Sequence, residues 1–206
     1  MMMLSTPLIL ASKSRIRYDI LHHAGLDVVV KTQDIDERAM VQAEGGEHNF
    51  SPEKMALFLA GIKAKAISSQ EGYASSLVIG CDQILGLEGQ ILHKAQNREE
   101  AFERIHNLQG KSHELYSAVS LYQRGEEIWQ HCTICSLNMR PLYIDEINDY
   151  LDKAGEGVLN SVGCYQLETL GVQLFEAIEG DYFSILGLPL LPLLNYLHRY
   201  EKEQAQ

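Results

Sequence analysis

The sequence predicts a single domain of the α/β class that spans residues 1–206. Short apolar runs typical of buried strands alternate with segments whose apolar residues follow helical spacing. The chain has 206 residues, of which 46% are hydrophobic, and this is enough for one sizeable core. The sequence contains neither an internal repeat nor a linker long enough to separate independent domains. A core of this size leaves room for two lobes around a cleft.

The chain opens with an apolar strand at residues 7–11, a serine-rich turn, and a helix that ends at Gly25. Free backbone N–H groups at the start of a helix form a site for anions. Positive charge in the same turn comes from Lys13, Arg15 and Arg17. Capping of the helix by Ser12 or Ser14 explains the serines equally well, because capping and phosphate binding use the same geometry.

The next segment supplies carboxylates and a lysine. A second strand is predicted at residues 26–31, and an acidic cluster follows at residues 34–37. Such a cluster is usually a solvated surface, although carboxylates are also the ligands that hard cations prefer. Ser51 and Pro52 then begin a long helix with an apolar stripe, formed by Met55, Leu59, Ile62 and Ala66. Lys63 flanks this stripe and either extends to solvent or reaches into a cleft, whereas Lys65 points away.

Asp82 lies within an apolar stretch, residues 77–85, which reads LVIGCDQIL. A short apolar run of this kind predicts a buried strand, with Asp82 at or near its end. An ionised carboxylate is rarely buried without a partner. Asp82 is therefore either a turn residue that follows Gly80 or a catalytic carboxylate in a cleft, balanced by a metal ion or a lysine.

The remaining elements bring Lys94 close to this strand. Residues 86–89 predict a hairpin turn, and residues 90–94 return along the strand that carries Asp82. The later predicted elements are a helix from the capping box at Asn97 to Gly110, strands at residues 112–122 and 127–137, a helix at 144–151, a strand at 172–178 and a final helix at 188–200.

The charge balance limits the classes of partner. Lys and Arg number 17 and Asp and Glu number 28, so the formal net charge is −11. An acidic surface argues against binding to nucleic acid or to an anionic membrane. No apolar run approaches the length of a membrane span, and residues 1–4 lack the features of a signal peptide. We therefore expect a cytoplasmic protein that binds neither nucleic acid nor membrane.

Several sequence blocks, taken together, resemble the Maf family of nucleoside triphosphate pyrophosphatases. In chain order these blocks are residues 8–14 (LILASKS), 36–37 (DE), 63–64 (KA), 80–82 (GCD), Lys94, 108–113 (LQGKSH), 178–182 (IEGDY) and 187–190 (GLPL). The resemblance implies a twisted mixed sheet with flanking helices and two lobes around a central cleft, as in the inosine triphosphatase-like fold. It also implies hydrolysis of a nucleoside triphosphate to the monophosphate and pyrophosphate.

The resemblance implies a role for each matching residue. The triphosphate would be bound by Ser12, Arg17, Lys63 and Lys94. A divalent metal ion, Mg²⁺ or Mn²⁺, would be held by Glu37 and Asp82, and Asp82 would also accept the proton of the attacking water. Phosphoryl transfer needs these parts: clustered cations, a hard metal ion and a positioned water. A homodimer is a further expectation.

Three positions are expected to select the base: Ile16, Gln83 and Glu168. Gln83 and Glu168 resemble the branch of the family that acts on 7-methyl-GTP. An ionised carboxylate accepts two hydrogen bonds, and guanine offers two donors on one edge, N1–H and the 2-amino group. Ile16 stands where that branch tends to carry a stacking Trp. The alternative for Glu168 is a solvated loop residue without a role.

Two other functions compete with the pyrophosphatase. One is a nucleotide-binding regulator or inhibitor of cell division that does not turn over. The other is a different phosphohydrolase or a nucleotide-transfer enzyme. The sequence contains neither the glycine-rich phosphate loop Gly-x-x-x-x-Gly-Lys-Ser/Thr nor a Gly-x-Gly-x-x-Gly motif, so it supports neither a P-loop enzyme nor a dinucleotide site.

Overall fold

The computed structural model describes residues 5–204, so residues 1–4, which lack the sequence features of a signal peptide, lie outside the described residues. Within them, seven strands form one sheet of order β2-β1-β3-β5-β6-β7, and β4 pairs with β3 off this path. Seven α-helices accompany the sheet. Strand β1 pairs in parallel with β2 and β3, whereas the other pairs are antiparallel. The predicted α/β class with a mixed sheet is confirmed.

The bounds of the elements are as follows. The strands are β1 (Leu8–Leu10), β2 (Val28–Val30), β3 (Leu77–Leu87), β4 (Gln90–Leu92), β5 (Ser112–Gln123), β6 (Glu126–Met139) and β7 (Phe175–Glu179). The α-helices are α1 (Arg15–His23), α2 (Glu37–Ala43), α3 (Pro52–Ser68), α4 (Arg98–Leu108), α5 (Ile144–Ala154), α6 (Tyr182–Ile185) and α7 (Leu190–Gln204).

Two tight turns set the antiparallel part of the sheet. Glu88 and Gly89 join β3 to β4, and Arg124 and Gly125 join β5 to β6; all four residues have positive φ. Two-residue hairpin loops with positive φ at both positions match the twist of the flanking strands. By contrast, β1 and β2 are parallel, and such a pair needs a crossover, which α1 provides.

Strand β3 has an open stretch along one edge. Strand β1 pairs with Leu77–Ile79 of β3, and β4 pairs with Leu85–Leu87 on the same side of the sheet order. Between them, at residues 80–84, no strand of the described chain covers that edge. Asp82 lies in this gap. The prediction that Asp82 ends a strand is wrong, because β3 continues to Leu87; Asp82 is accessible because β1 stops at Leu10.

Helix α3 packs against β3 at very short range. A Cβ atom at Gly80 would lie 2.0 Å from the Ala60 carbonyl oxygen and 2.9 Å from Ala64 Cβ. Only a glycine therefore lets the helix lie this close to the strand. Lys63 of α3 and Asp82 of β3 are brought together by this contact.

The acidic cluster at residues 34–37 leads into α2, a helix that was not predicted. Its first turn is capped because Asp36 Oδ1 accepts a hydrogen bond from Ala39 N at 2.9 Å. Two predicted elements have different bounds. The predicted hairpin turn at residues 86–89 is only two residues long. The strand predicted at residues 172–178 begins at Phe175, after a short 3₁₀ helix, Leu170–Leu174.

The buried apolar side chains form several clusters around the sheet. One large cluster joins α4, α5 and the loop that leads to β7, with Ile105, Ile147 and Phe175 among its members. Another joins β1, α1 and α7, with Leu21 and Leu193 among its members. The arrangement as a single domain of two lobes stays a prediction. Among residues 5–204 no helix has the length and apolar character needed to cross a membrane.

Candidate active site

A cavity of about 930 Å³ lies beside the open stretch of β3. All nine side chains that the sequence singled out contribute to its lining, namely Ser12, Ile16, Arg17, Glu37, Lys63, Asp82, Gln83, Lys94 and Glu168. The lining also holds the additional cations Lys13 and Arg15. Five carboxylates also line the cavity and balance its five cations, whereas the whole chain has a net charge of −11. A volume of this size is within the range of sites for small ligands, which is roughly 300–1,000 Å³.

Lys63 stands between two carboxylates. Its Nζ atom lies 2.5 Å from Asp82 Oδ1 and 3.1 Å from Glu37 Oε1. The side chain of Asp82 is 13% exposed and that of Lys63 is 21% exposed, whereas Glu37 is 42% exposed. The sequence allowed Lys63 either to extend to solvent or to reach into a cleft, and in the structure its side chain reaches into the cavity. Lys65, by contrast, is exposed and does not line this cavity.

Burial and charge act against each other at this pair. Burial is the largest effect on Asp82 and raises the pKa of its carboxyl group, although Lys63 and Arg17 pull that pKa down. For Lys63 burial also favours the neutral form, but the Asp82 and Glu37 carboxylates outweigh it and raise the pKa of the amine. Lys63 is therefore charged at neutral pH, and Asp82 is a stronger proton acceptor than an ordinary aspartate.

The guanidinium group of Arg17 holds together three segments around the cavity. Its Nε atom donates to the Gly187 carbonyl oxygen at 2.9 Å, and its Nη1 atom donates to the Cys81 carbonyl oxygen at 2.9 Å. The same Nη1 lies 3.2 Å from Ser12 Oγ, which also accepts a hydrogen bond from Ser14 N. Ser12 thus orders the turn itself, and the Ser14 side chain makes no capping hydrogen bond.

The side-chain amide of Gln83 is fixed by acceptors behind it. Its Nε2 atom donates to Ser117 Oγ at 2.8 Å, to the Ile185 carbonyl oxygen at 3.0 Å and to the Ser184 carbonyl oxygen at 3.2 Å. The Ser117 hydroxyl donates to the Ser184 carbonyl oxygen at 2.6 Å, so Ser117 Oγ is an acceptor for Gln83. Sequence reasoning missed Ser117. The only signal for it was its position two residues after Leu115 on a predicted strand, which places both side chains on the same face of the sheet.

Three further predicted residues complete the lining. Ile16 is half-buried at the start of α1, while Lys94 and Glu168 are exposed. The Lys94 amine donates to no described residue, and it is therefore available to a ligand. Glu168 lies on the loop between α5 and β7, three residues after the buried Tyr165. The cavity thus combines exposed charged side chains, Lys94 and Glu168, with the partly buried Lys63–Asp82 pair.

Comparison with known proteins identifies the family to which this chain belongs. The family model described as Maf-like protein matches residues 7–200. The chain belongs to the Maf family. The resemblance inferred from the sequence blocks is thereby confirmed.

Individual relatives in the Maf family match almost the whole chain. A 7-methyl-GTP pyrophosphatase of Bartonella henselae is 49% identical over 199 residues, which is 97% of this chain and 98% of that protein. A 7-methyl-GTP pyrophosphatase of Brucella abortus is 45% identical, covering 95% of this chain and 97% of that protein. A nucleoside triphosphate pyrophosphatase of Bradyrhizobium diazoefficiens is 44% identical and covers 93% of each chain.

The carboxylates suit a metal ion that the ligand helps to bind. Among the described residues no cluster of three His, Cys, Asp or Glu side chains could hold a metal ion. Asp82 and Glu37, however, both contact Lys63 through one carboxylate oxygen, and no described residue donates to the other oxygen of either group. Mg²⁺ typically binds one or two carboxylates together with substrate phosphates and water. The donor set therefore fits a divalent ion shared with a phosphorylated ligand.

Asp82→Asn is expected to raise the free energy of unfolding at neutral pH, because the substitution removes a charge whose burial is costly. Since the pKa of Asp82 is raised on folding, its contribution to stability is present at low pH and is lost as the pH rises through the raised pKa. The difference in free energy of unfolding between variant and wild type should vanish below the ordinary pKa of 3.8. It should reach its maximum above the pKa of Asp82 in the folded protein. Denaturant titrations at several pH values measure this difference.

Asp34→Asn is the matched control. The hydrogen bond and charge of Lys13 lower the pKa of this exposed carboxyl group. Asp34→Asn should therefore lower the free energy of unfolding at neutral pH, whereas Asp82→Asn should raise it. An Asp82→Asn variant that is less stable than the wild type at neutral pH would show that attraction to Lys63 outweighs burial.

Proposed function

We propose that this protein is a nucleoside triphosphate pyrophosphatase that removes non-standard or modified nucleotides. Water would add to phosphorus, the α–β phosphoanhydride bond would break, and the products would be a nucleoside monophosphate and pyrophosphate. The observation that carries the proposal is the Asp82 carboxylate beside Lys63, on the wall of a cavity lined with further cations. The names of relatives that are 43–49% identical to this chain agree with it.

Asp82 is the residue best suited to accept the proton of the attacking water. Its carboxylate is mostly buried and its pKa is raised, which makes it a better base than an exposed aspartate. Only Oδ1 contacts Lys63, so the lone pairs of Oδ2 remain for the water and for a metal ion. Lys63 keeps the carboxylate ionised until the proton arrives and places positive charge where the phosphates would lie.

The phosphates would be bound by groups of differing freedom. Lys94 and Lys63 offer ammonium groups, and Lys94 is unpaired among the described residues. Arg17 uses Nε and Nη1 on protein oxygens, so its Nη2 atom is the donor left for a phosphate. Ser12 Oγ already accepts two hydrogen bonds and would contribute its own hydroxyl hydrogen.

A divalent metal ion, Mg²⁺ or Mn²⁺, would be held by Asp82 and Glu37 together with the phosphates. Such an ion neutralises negative charge on phosphate oxygens and lowers the pKa of a bound water. Lys63 lies between the two carboxylates and keeps both close to the phosphate site.

The base would be read by two acceptors, Gln83 Oε1 and the Glu168 carboxylate. The Gln83 amide nitrogen faces protein oxygens, which leaves Oε1 as the atom offered to a ligand. Guanine presents two donors on one edge, whereas uracil and thymine present one N–H between two carbonyl oxygens that acceptors would repel. We therefore infer a preference for guanine nucleotides, including 7-methyl-GTP, whose positive ring a carboxylate also favours.

Ile16 affects how well methylated guanine is separated from plain guanine. A cationic ring is attracted by the face of an aromatic side chain. Ile16 is half-buried in the lining and supplies apolar contact without such a face. We propose that Ile16 separates 7-methyl-GTP from GTP less well than an aromatic side chain at this position would.

Two broader expectations accompany the proposed activity. A nucleotide substrate suits a cytoplasmic location, and a homodimer remains a prediction.

A nucleotide-binding regulator without turnover is the competing function, and pyrophosphate release separates the two. With GTP and Mg²⁺ the wild type should release pyrophosphate steadily, and Asp82→Asn should reduce the rate roughly 100-fold or more, as is typical for loss of a general base. Lys65→Ala is the matched control, because Lys65 lies on the same helix but outside the cavity, and its rate should equal that of the wild type. Binding of GTP without release of pyrophosphate would favour the regulator.

The choice of base is tested by comparing 7-methyl-GTP, GTP, UTP and dTTP as substrates. The wild type should prefer the two guanine nucleotides, and Glu168→Gln should weaken that preference, because an amide replaces one of the carboxylate acceptors with a donor. The values of kcat/KM for each substrate measure the effect. Glu176→Gln, a change on the exposed part of β7 outside the cavity, is the control. A wild type that prefers UTP or dTTP, or a Glu168→Gln variant with an unchanged profile, would contradict the assignment.

A further inference from the structure

Strand β5 presents three alternate residues toward the cavity side of the sheet. His113, Leu115 and Ser117 are 0%, 2% and 0% exposed, and residues two apart on a strand point to the same face. Leu115 itself lines the cavity, while His113 and Ser117 lie on either side of it along the strand. Ser117 contacts Gln83 itself, and His113 contacts Tyr165 on the loop that carries Glu168.

Ser117 fixes the orientation of Gln83 together with the Ser184 and Ile185 carbonyl oxygens. The Ser117 hydroxyl hydrogen is used on the Ser184 carbonyl oxygen, so its oxygen can only accept from Gln83. A Gln83 amide turned by 180° would place Oε1 against this oxygen and two carbonyl oxygens, which is repulsive. Gln83 is therefore held as an acceptor toward the cavity.

His113 anchors the loop that carries Glu168. Its Nε2 atom lies 2.7 Å from the Tyr165 hydroxyl, and both side chains are buried. Burial lowers the pKa of His113 to about 4, so the ring is neutral at physiological pH. The Tyr165 ring packs edge-on against Phe175 at 4.8 Å and lies so close to Gly163 that a Cβ atom there would be 2.2 Å away. Tyr165 is thus held at its ring and at its hydroxyl.

The chain between Tyr165 and Glu168 is closed into a tight turn. The Gln166 carbonyl oxygen accepts hydrogen bonds from Thr169 N at 3.1 Å and from Thr169 Oγ1 at 3.0 Å. A Cβ atom at Gly171 would lie 2.5 Å from the same oxygen, so the loop returns directly onto itself. A displacement of Tyr165 is therefore transmitted to Glu168 and not absorbed by slack in the chain.

We infer that β5 positions both base-reading groups, Gln83 through Ser117 and Glu168 through His113 and Tyr165. Ser117, His113 and Tyr165 are positioning residues that act through Gln83 and Glu168. The inference rests on the proposed preference for guanine nucleotides and assigns the positioning of both acceptors to one strand, β5. The two anchors, His113 and Ser117, are four residues apart on β5, roughly 13 Å, and we expect this spacing to set the separation of the two acceptors.

The test measures kcat and KM for GTP and for UTP in Ser117→Ala and Tyr165→Phe. Each variant loses one hydroxyl group and keeps the shape of the site. The ratio of kcat/KM for GTP to that for UTP should fall roughly three- to tenfold, the effect of losing one or two hydrogen bonds. A rise in KM for GTP should account for most of the fall, with kcat changed less. The ratio does not depend on the fraction of folded enzyme, so partial unfolding of a variant does not obscure the result.

Ser120→Ala is the control on the same strand. The Ser120 hydroxyl is fully buried and has no hydrogen-bond partner among the described residues, so its removal should leave the ratio within about twofold of the wild type. A wild type that does not prefer GTP to UTP refutes the proposed base preference and this inference with it. A wild type that prefers GTP, together with variants that keep its full ratio, refutes the inference alone.

Discussion

The close contact between α3 and β3 at Gly80 is the constraint on which the rest of the site depends. The absence of a side chain at Gly80 lets the Ala60 and Ala64 backbone approach the strand, and Lys63 then meets Asp82 at 2.5 Å. The short β1 strand leaves the edge of β3 open at that level, so the pair faces a cavity instead of another strand. Sheet topology and one glycine thus create a partly buried ion pair with access to ligand.

The ion pair suits catalysis better than stability. Burial raises the pKa of Asp82 despite the nearby Lys63 and Arg17, which means that its ionised form is held at a cost. Such costs are typical of functional sites, where activity is retained at the expense of stability. Hydrogen bonds from Arg17 to Ser12 and to the backbone at Cys81 and Gly187 hold together the segments around this pair.

The sequence predicted the class of the fold, and the nine residues that it singled out line one cavity, but it did not indicate the orientation of their groups. Helical spacing placed Lys63 at the edge of the apolar stripe and Lys65 away from it, because that pattern is local. The length of β3 was missed because Gly86, which usually indicates a turn, lies within the strand against Tyr116. The direction of the Gln83 amide depends on Ser117, Ser184 and Ile185, which are 34, 101 and 102 residues away, and no local pattern contains that information.

A double-mutant cycle on Asp82 and Lys63 tests most directly whether the two act as one catalytic unit. The rate of pyrophosphate release from GTP would be measured for Asp82→Asn, Lys63→Met and the double variant, with the free energy of unfolding of each. Groups that act as a unit are strongly non-additive, so the double variant should be no slower than the slower single variant and at least as stable as the wild type. Losses that multiply in the double variant, or a double variant that retains the wild-type rate, would contradict the account.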